Sequence, residues 1–202
     1  MATYSLVHGA WHGGWAWDFV RAELEARGHT VHAPDLPCEK VGVTLEDYAG
    51  AIPPADVVVG HSLGGLVIPL VDARVHVYLA GLVGGADMTD VFSPGFLAAR
   101  IHDELGRSYY PDPADAAREL QFPPEHAHLA QKLRRQAPIE GTAVAGPEPS
   151  TYVVCSRDAC IRPEWQRGVA TNPVELDAGH SAMLECPAVL VDLLEREAGV
   201  VR

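Results

Sequence analysis

The sequence predicts an α/β fold with a mostly parallel sheet of about six strands flanked by helices. Two observations carry this expectation. Short apolar runs alternate with amphipathic helical segments at both ends of the chain, and residues 56–60 are apolar throughout their middle, as a central parallel strand must be. The length of 202 residues suits a single domain, which we expect to span residues 1–202.

The elements of the first half follow from apolar periodicity and from residues that begin or end helices. Thr44 and Asp47 have the spacing of a capping box, in a short helix that Pro53 and Pro54 must end. Pro69 predicts a kink or an early end of the helix after the central strand. In chain order, we predict a strand at residues 4–7, a helix at 15–27, a strand at 30–33, the short helix, the central strand at 56–60, a helix beyond Ser62 and a strand at 75–83.

The alternation breaks after that last strand. From residue 85 to about residue 150, prolines and glycines separate helical pieces and no strand is evident. We therefore expect a helical cap over the C-terminal edge of the sheet, called the insertion (residues 85–150) below. Its helical pieces are predicted at 95–105, 114–120 and 125–136, and the alternation resumes with a strand at 151–155, a helix at 163–169, a strand at 173–176 and a helix at 187–197.

Composition argues against several classes of partner. The 15 Lys and Arg against 27 Asp and Glu give a formal net charge of −12, whereas nucleic acid or an anionic membrane requires a basic face. No apolar stretch approaches the roughly 18 to 20 residues of a membrane span, and we expect no signal peptide. The four cysteines form no C-x-x-C pair, so we expect free thiols, no metal and a cytoplasmic protein, and we leave a homodimer open.

Residues 60–64 read Gly-His-Ser-Leu-Gly and match G-x-S-x-G between the central strand and a predicted helix. In that context the serine sits in a sharp turn above the sheet edge. The flanking glycines remove β-carbons that would collide as strand and helix close on each other. The motif therefore predicts Ser62 as a nucleophile, and the alternative is a Gly-rich turn with an incidental serine.

A serine nucleophile needs a base to take its proton, and the base needs an orienting carboxylate. In folds with this elbow the chain order is serine, acid, histidine. His180 lies in the loop after the last predicted strand, and Asp158 follows the strand after the insertion. Asp177 competes with Asp158 because it is nearer to His180 in sequence, and Asp35 and Asp87 also follow strands.

The tetrahedral intermediate also needs two N–H donors for its oxyanion. The N–H of Leu63, directly after the nucleophile, is one expected donor. The loop after the first strand should supply the other, and Ala10 occupies that place. Trp11 is a candidate substrate contact. For His8 and His12 we favour a role in fixing this loop over a substrate contact.

Longer stretches carry a resemblance: HGAWHGGWAW at residues 8–17, GHTV at 28–31, APDL at 33–36, VGHSLGG at 59–65, the stretch 152–167 and GHSAML at 179–184. They are spread over both flanks of the insertion, which together make up roughly two-thirds of the chain. They resemble the plant methyl esterase and hydroxynitrile lyase branch of the α/β-hydrolases. The resemblance implies carboxylesterase chemistry on small esters, no cofactor and a helical cap over the pocket.

Carried onto this chain, the resemblance implies the following roles: Ser62 as nucleophile, Asp158 as acid, His180 as base, Ala10 and Leu63 as oxyanion donors, and Trp11 and Met183 near the substrate pocket. Departures from the pattern favour the esterase side. The lyases place a lysine directly after the catalytic histidine and a threonine at the position of Gly9, whereas this chain has Ser181 and a glycine there. The helix before the central strand is truncated and the insertion is short for the family, so we expect a shallow or more open pocket.

The expected reaction is hydrolysis of a small-molecule ester through an acyl-enzyme formed on Ser62, without a cofactor. The alternatives are a lactonase or thioesterase that uses the same triad, a hydroxynitrile lyase-like member, and a non-catalytic ligand-binding member that has kept the triad.

Overall fold

The computed structural model describes residues 1–147, 150–197 and 199. Residues 148, 149, 198 and 200–202, which the predicted insertion and domain also include, lie outside the described residues. The strands are β1 Thr3–Val7, β2 Thr30–His32, β3 Ala55–His61, β4 Ala73–Leu79, β5 Ile101–His102, β6 Ser108–Tyr109, β7 Thr151–Cys155 and β8 Pro173–Leu176. The α-helices are α1 Asp18–Ala26, α2 Leu45–Ala49, α3 Pro113–Glu119, α4 Pro163–Val169, α5 Ala182–Glu185 and α6 Pro187–Glu197. Short 3₁₀ helices lie at Gly14–Trp17, Ser62–Leu66, Ile68–Leu70 and Pro124–Lys132.

Six strands form one parallel sheet in the order β2-β1-β3-β4-β7-β8. The predicted fold class is therefore confirmed, and β3 is a central strand as its apolar sequence indicates. Val57, Val58 and Val59 of this strand are fully buried. Because successive side chains point to opposite faces, Val57 and Val59 pack in one core cluster and Val58 in the other.

Each face of the sheet is covered by helices whose apolar side chains complete its core. On one face, α1 contributes Val20 and Leu24, and α6 contributes Leu190 and Leu194. On the other face, Tyr48 of α2 is fully buried. The predicted capping box of α2 is present, since the Thr44 hydroxyl accepts from the Asp47 N–H and the Asp47 carboxylate accepts from the Thr44 N–H at 2.9 Å.

Two predictions around the central strands need correction. The helix expected beyond Ser62 is a pair of short 3₁₀ helices rather than an α-helix, because Pro69 donates no N–H and only two residues separate Leu70 from β4. The strand expected at 75–83 ends at Leu79, since Ala80 leaves the extended region with a φ of +44°.

The insertion contains strands, so the prediction that it has none is wrong. The helix expected at 95–105 is absent. Gly95 and Leu97 have φ of +82° and +74°, and the chain then forms a small antiparallel hairpin, β5–β6, around Gly106 with φ of +73°. The helix expected at 114–120 is present as α3, and the piece at 125–136 is a 3₁₀ helix.

The remaining predicted elements of the sheet and its flanking helices are confirmed. These are the strands at 4–7, 30–33, 56–60, 151–155 and 173–176 and the helices at 163–169 and 187–197. The helix predicted at 15–27 consists of a 3₁₀ turn followed by α1, and the four-residue helix α5 was not predicted. Among the described residues, no helix combines the length and apolarity that crossing a membrane requires.

Candidate active site

The loop after β3 holds Ser62 in a strained turn. Its φ of +52° lies in the left-handed region, which costs a non-glycine residue on the order of 1 kcal/mol. The backbone closes tightly on this turn: a Cβ on Gly64 would lie 2.7 Å from the Val7 carbonyl oxygen, and one on Gly65 would lie 2.4 Å from that of Leu82. The Leu82 N–H in turn donates to the Ser62 carbonyl at 2.8 Å. The glycines of the motif therefore permit the packing that fixes the serine.

His180 and Asp158 meet as a buried pair. Nδ1 of His180 lies 2.8 Å from Oδ2 of Asp158, and the two side chains are 2% and 0% exposed. Asp177, the competing acid, is 86% exposed and pairs with Arg157. The geometry thus brings Asp158, and not Asp177, to the histidine.

The Asp158 carboxylate is fully surrounded by donors, as a buried charge requires. Oδ1 accepts from the N–H groups of Cys160 at 2.7 Å and Ile161 at 3.0 Å. Oδ2 accepts from His180 and from Nε2 of Gln166 at 3.0 Å. Gln166 is fully buried, and the sequence reasoning missed it because a helical glutamine near a strand end carries no signal of its own.

The loop after β1 presents Ala10, and His8 sets the orientation of the peptide group that precedes it. Nδ1 of His8 donates to the Gly9 carbonyl at 2.8 Å, and Nε2 accepts from the Leu36 N–H at 3.0 Å. That carbonyl belongs to the same peptide group as the Ala10 N–H, and a trans peptide points the two in opposite directions. Ala10 lines a cavity together with Ser62. His8 therefore holds the predicted oxyanion donor in place.

Buried imidazoles around the nucleophile are kept neutral. Burial lowers the pKa of His8 to about 4 and that of His12 to about 3. The pKa of His61 is lowered well below its ordinary value by burial and by the neighbouring His180. Nε2 of His61 donates to the His180 carbonyl at 2.9 Å, so the residue before Ser62 anchors the loop of His180.

The insertion reaches the loops of Asp158 and His180 through Gln121. Its Oε1 accepts from the Ala159 N–H at 2.7 Å and the His180 N–H at 3.0 Å, and its Nε2 donates to the Arg157 carbonyl at 3.0 Å. Gln121 also has a φ of +54°, which a side chain other than glycine adopts only when its surroundings hold it. No sequence motif marks this residue, because its partners are backbone groups.

A cavity of about 270 Å³ opens beside Ser62. Of the predicted site residues, Ser62, Leu63, Ala10 and Trp11 line it. Met183 has no exposed surface and packs in the core, so this geometry gives no support to its predicted substrate contact. The lining residues are Ala10, Trp11, Ser62, Leu63, Leu82, Phe92, Phe96, Leu97, Arg100, Ser108 and Gln136.

Comparison with known proteins shows the family to which this chain belongs. Residues 6–193 match the model of the alpha/beta hydrolase family. This chain belongs to that family. It is similar to Methylesterase 3 of Arabidopsis thaliana, with 27% identity over 94% of this chain and 93% of that protein, and to Methylesterase 9 of the same plant, with 30% identity over 96% and 97%. The structure of a pyrethroid hydrolase from Sphingobium faniae JZ-2 has a TM-score of 0.79 at 22% identity, over 98% of this chain and 97% of that one, which shows the shared fold. The resemblance to plant methyl esterases is thereby confirmed.

This α/β hydrolase is compact for its relatives. The alignment with Methylesterase 3 runs over 244 positions and the chain has 202 residues, so at least 42 of those positions are gaps in this chain. The elements that flank β3 are short: α2 has five residues, and the 3₁₀ turns after Ser62 end at Leu70.

One group of side chains in the described part of this hydrolase could face a metal ion. Donor atoms of Asp158, Cys160 and His180 lie within 4.8 Å of one another. Burial and the nearby Asp158 raise the pKa of the Cys160 thiol well above its ordinary value, and metal binding requires the thiolate. The thiol instead donates to the Glu119 carbonyl at 3.0 Å.

The lowered histidine pKa values predict acid sensitivity of the fold. Between pH 7 and 5, His8 and His12 stay neutral in the folded state while the unfolded chain protonates them, so the free energy of unfolding falls as the pH falls. Each such imidazole adds a slope approaching about 1.4 kcal/mol per pH unit below its unfolded pKa. Urea denaturation at several pH values measures it. The double variant His8→Asn, His12→Asn should flatten the slope, whereas substitution of the exposed His102 should leave it unchanged; equal slopes in all three would contradict the assignment.

The Gly9 peptide predicts different effects for two substitutions of His8. Asparagine places an amide nitrogen close to the position of Nδ1 and can keep the bond to the Gly9 carbonyl, whereas glutamine extends toward the position of Nε2. We expect His8→Gln to lower kcat for ester hydrolysis by about tenfold or more, since loss of one oxyanion donor costs roughly 10² to 10³. His8→Asn should retain most of kcat. Steady-state kinetics decides, and equal losses in both variants would show that His8 acts only on stability.

Gln121 predicts an effect on catalysis that is separable from stability. Both Gln121→Ala and Gln121→Gly remove the hydrogen bonds to the catalytic loops, but only glycine relieves the backbone at φ +54°. We expect both variants to lower kcat by about tenfold with KM nearly unchanged, and Gln121→Gly to unfold at higher urea than Gln121→Ala. If kcat instead follows the unfolding midpoint and recovers in the glycine variant, Gln121 is a structural residue only.

Proposed function

We propose that this α/β hydrolase is a serine carboxylesterase that cleaves small esters through an acyl-enzyme. The observation that carries the proposal is the buried pair of His180 and Asp158 on the loops that follow β8 and β7, together with Ser62 in its strained turn at the end of β3. Similarity to Methylesterase 3 and Methylesterase 9 over nearly the whole chain supports ester hydrolysis.

In the proposed first step, Ser62 attacks the ester carbonyl carbon and His180 takes the proton of the serine hydroxyl. Asp158 holds the imidazole by its Nδ1 and stabilises the charge that the ring gains. The N–H groups of Ala10 and Leu63 receive the oxyanion. The tetrahedral intermediate then collapses, the ester C–O bond breaks, and His180 gives its proton to the departing alcohol.

In the second step, His180 removes a proton from water, which attacks the acyl-enzyme carbonyl. The same N–H groups receive the second oxyanion, and the proton returns to Ser62 as the carboxylic acid leaves. Water is the only co-reactant, and the bonds broken and formed balance without a cofactor. The cavity of about 270 Å³, walled by Trp11, Phe92 and Phe96, suits a small ester with an apolar part.

Two observations weigh against the lyase alternative. Ser181, the residue after His180, is fully buried, and its hydroxyl donates to the Leu120 carbonyl at 2.6 Å. It offers no cation to a departing cyanide. A Cβ at Gly9 would lie 2.9 Å from both the Ser62 Cβ and Nδ1 of His61, so a threonine here would press on the nucleophile.

We expect the wild-type protein to release p-nitrophenol from p-nitrophenyl acetate with an initial burst close to one equivalent per active site, because the activated ester acylates Ser62 faster than water removes the acetyl group. Ser62→Ala should lower kcat by at least about 10⁴ while the protein remains folded by circular dichroism. Intact-mass measurement of acid-quenched enzyme should show one acetyl group, mapped to Ser62 by peptide sequencing. Hydrolysis in the wild type no faster than in Ser62→Ala would refute the proposal.

A further inference from the structure

The catalytic cavity has one charged side chain in its described wall, that of Arg100. Its remaining lining is apolar or neutral, with aromatic rings at Trp11, Phe92 and Phe96. In a pocket of this kind, the few charged or polar groups decide which ligand is held and in which direction. The ligand group that Arg100 binds therefore indicates the class of substrate.

Arg100 has no acidic partner among the described residues. No carboxylate there lies within ion-pair distance of its guanidinium, whose central carbon instead lies 6.0 Å from the centre of the Trp11 ring. Nε of Arg100 is buried and makes no hydrogen bond. A partly buried cation without a counter-charge is costly, and a bound anion would remove that cost.

The nearby Glu119 is engaged in placing Arg100. Its two carboxylate oxygens accept from the N–H groups of Leu97, at 3.1 Å, and Ala99, at 2.9 Å. These bonds fix the turn that leads into Arg100, whose own N–H donates to the Leu97 carbonyl at 3.3 Å. The acid thus holds the backbone and leaves the guanidinium free for another anion.

The neutral side-chain donors of Trp11, Ser108 and Gln136 in the wall are occupied by hydrogen bonds within the protein, whereas the buried Oε1 of Gln136, an acceptor, makes none. Nε1 of Trp11 donates to the Ser108 hydroxyl at 3.0 Å, and that hydroxyl donates to the Gln136 carbonyl at 3.3 Å. Nε2 of Gln136 donates to the Tyr48 hydroxyl and to the Ala137 carbonyl. Apart from the N–H groups of Ala10 and Leu63 and the Ser62 hydroxyl, which the proposed reaction uses, the guanidinium of Arg100 is the side-chain donor of the described wall that remains available to a ligand.

We propose that this hydrolase selects esters that carry a free carboxylate in addition to the ester group, with Arg100 receiving the carboxylate. The inference rests on the proposed esterase function and names its substrate class. The planar guanidinium fork matches a carboxylate in two parallel hydrogen bonds. A half-ester of a short dicarboxylic acid would place its ester carbonyl at Ser62 and its carboxylate at Arg100.

The net charge of −12 acts against every anionic substrate at long range. This repulsion is nearly the same in variants that differ by one charge, and salt at ~0.15 M screens it beyond about 8 Å. A contact with Arg100 inside the cavity is screened far less. Comparison of variants at fixed ionic strength therefore isolates the contact from the overall field.

The experiment compares kcat/KM for monomethyl glutarate and for methyl pentanoate, which has a methyl group where the former has the carboxylate. We expect Arg100→Gln to lower kcat/KM for monomethyl glutarate by about tenfold or more, chiefly through KM, because the variant loses the charged hydrogen bonds to the carboxylate. Methyl pentanoate should change by less than about threefold. Arg100→Lys should restore part of the preference, and glutarate should inhibit the wild type more strongly than Arg100→Gln.

Arg118→Gln is the matched control, because it removes the same charge from the insertion at an exposed side chain outside the cavity. It should leave both esters unaffected. If both esters are hydrolysed and their ratio is the same in wild type and Arg100→Gln, the substrate inference is wrong while the esterase stands. If the wild type hydrolyses neither ester nor p-nitrophenyl acetate faster than Ser62→Ala, the proposed function itself fails.

Discussion

The close approach of three backbone segments at the end of β3 is the constraint on which the rest of the site depends. Ser62 keeps a left-handed backbone because β1, the 3₁₀ turn after β3 and the segment after β4 leave no room for β-carbons at Gly64 and Gly65. Such strain persists only where neighbouring structure over-determines it. Ser62 is thereby held at one position, beside the cavity that Ala10 also lines and next to His61, which bonds to the loop of His180.

Hydrogen bonds from side chains to backbone groups hold the loops around Ser62. His8 orients the Gly9 peptide, His61 binds the His180 carbonyl, and Gln121 binds the N–H groups of His180 and Ala159. The imidazoles among them are useful as anchors because burial lowers their pKa and keeps them neutral at pH 7, so each ring has one donor and one acceptor. A protonated His8 could no longer accept the hydrogen bond from the Leu36 N–H. Protonation of His8 would therefore disturb the loop that presents Ala10.

The sequence predicts correctly those elements that are determined by residues close together along the chain. The apolar run of β3, the G-x-S-x-G motif and the capping box of α2 each reflect contacts within a few residues, and each was found. Gln121, Gln166 and the hairpin β5–β6 were missed because their identity is decided by partners far along the chain. Gln121, for example, bonds to residues 36 to 59 positions away. The α-helix predicted after Ser62 is absent for a third reason. Only two residues join Leu70 to β4, so the chain has no room to continue a helix there.

In this short chain the insertion does more than cover the pocket. Besides His61 and Gln166, the insertion itself holds the loops of Asp158 and His180, through Gln121 and through the Leu120 carbonyl that accepts from Ser181. The same segment supplies the charged wall of the cavity, and Glu119, two residues before Gln121, fixes the turn that presents Arg100. The residue proposed to recognise substrate and the residue that holds the loops of Asp158 and His180 are thus placed by one short stretch around α3. Because Glu119 and Gln121 lie on this same stretch, a shift of α3 would act on the turn of Arg100 and on those two loops together.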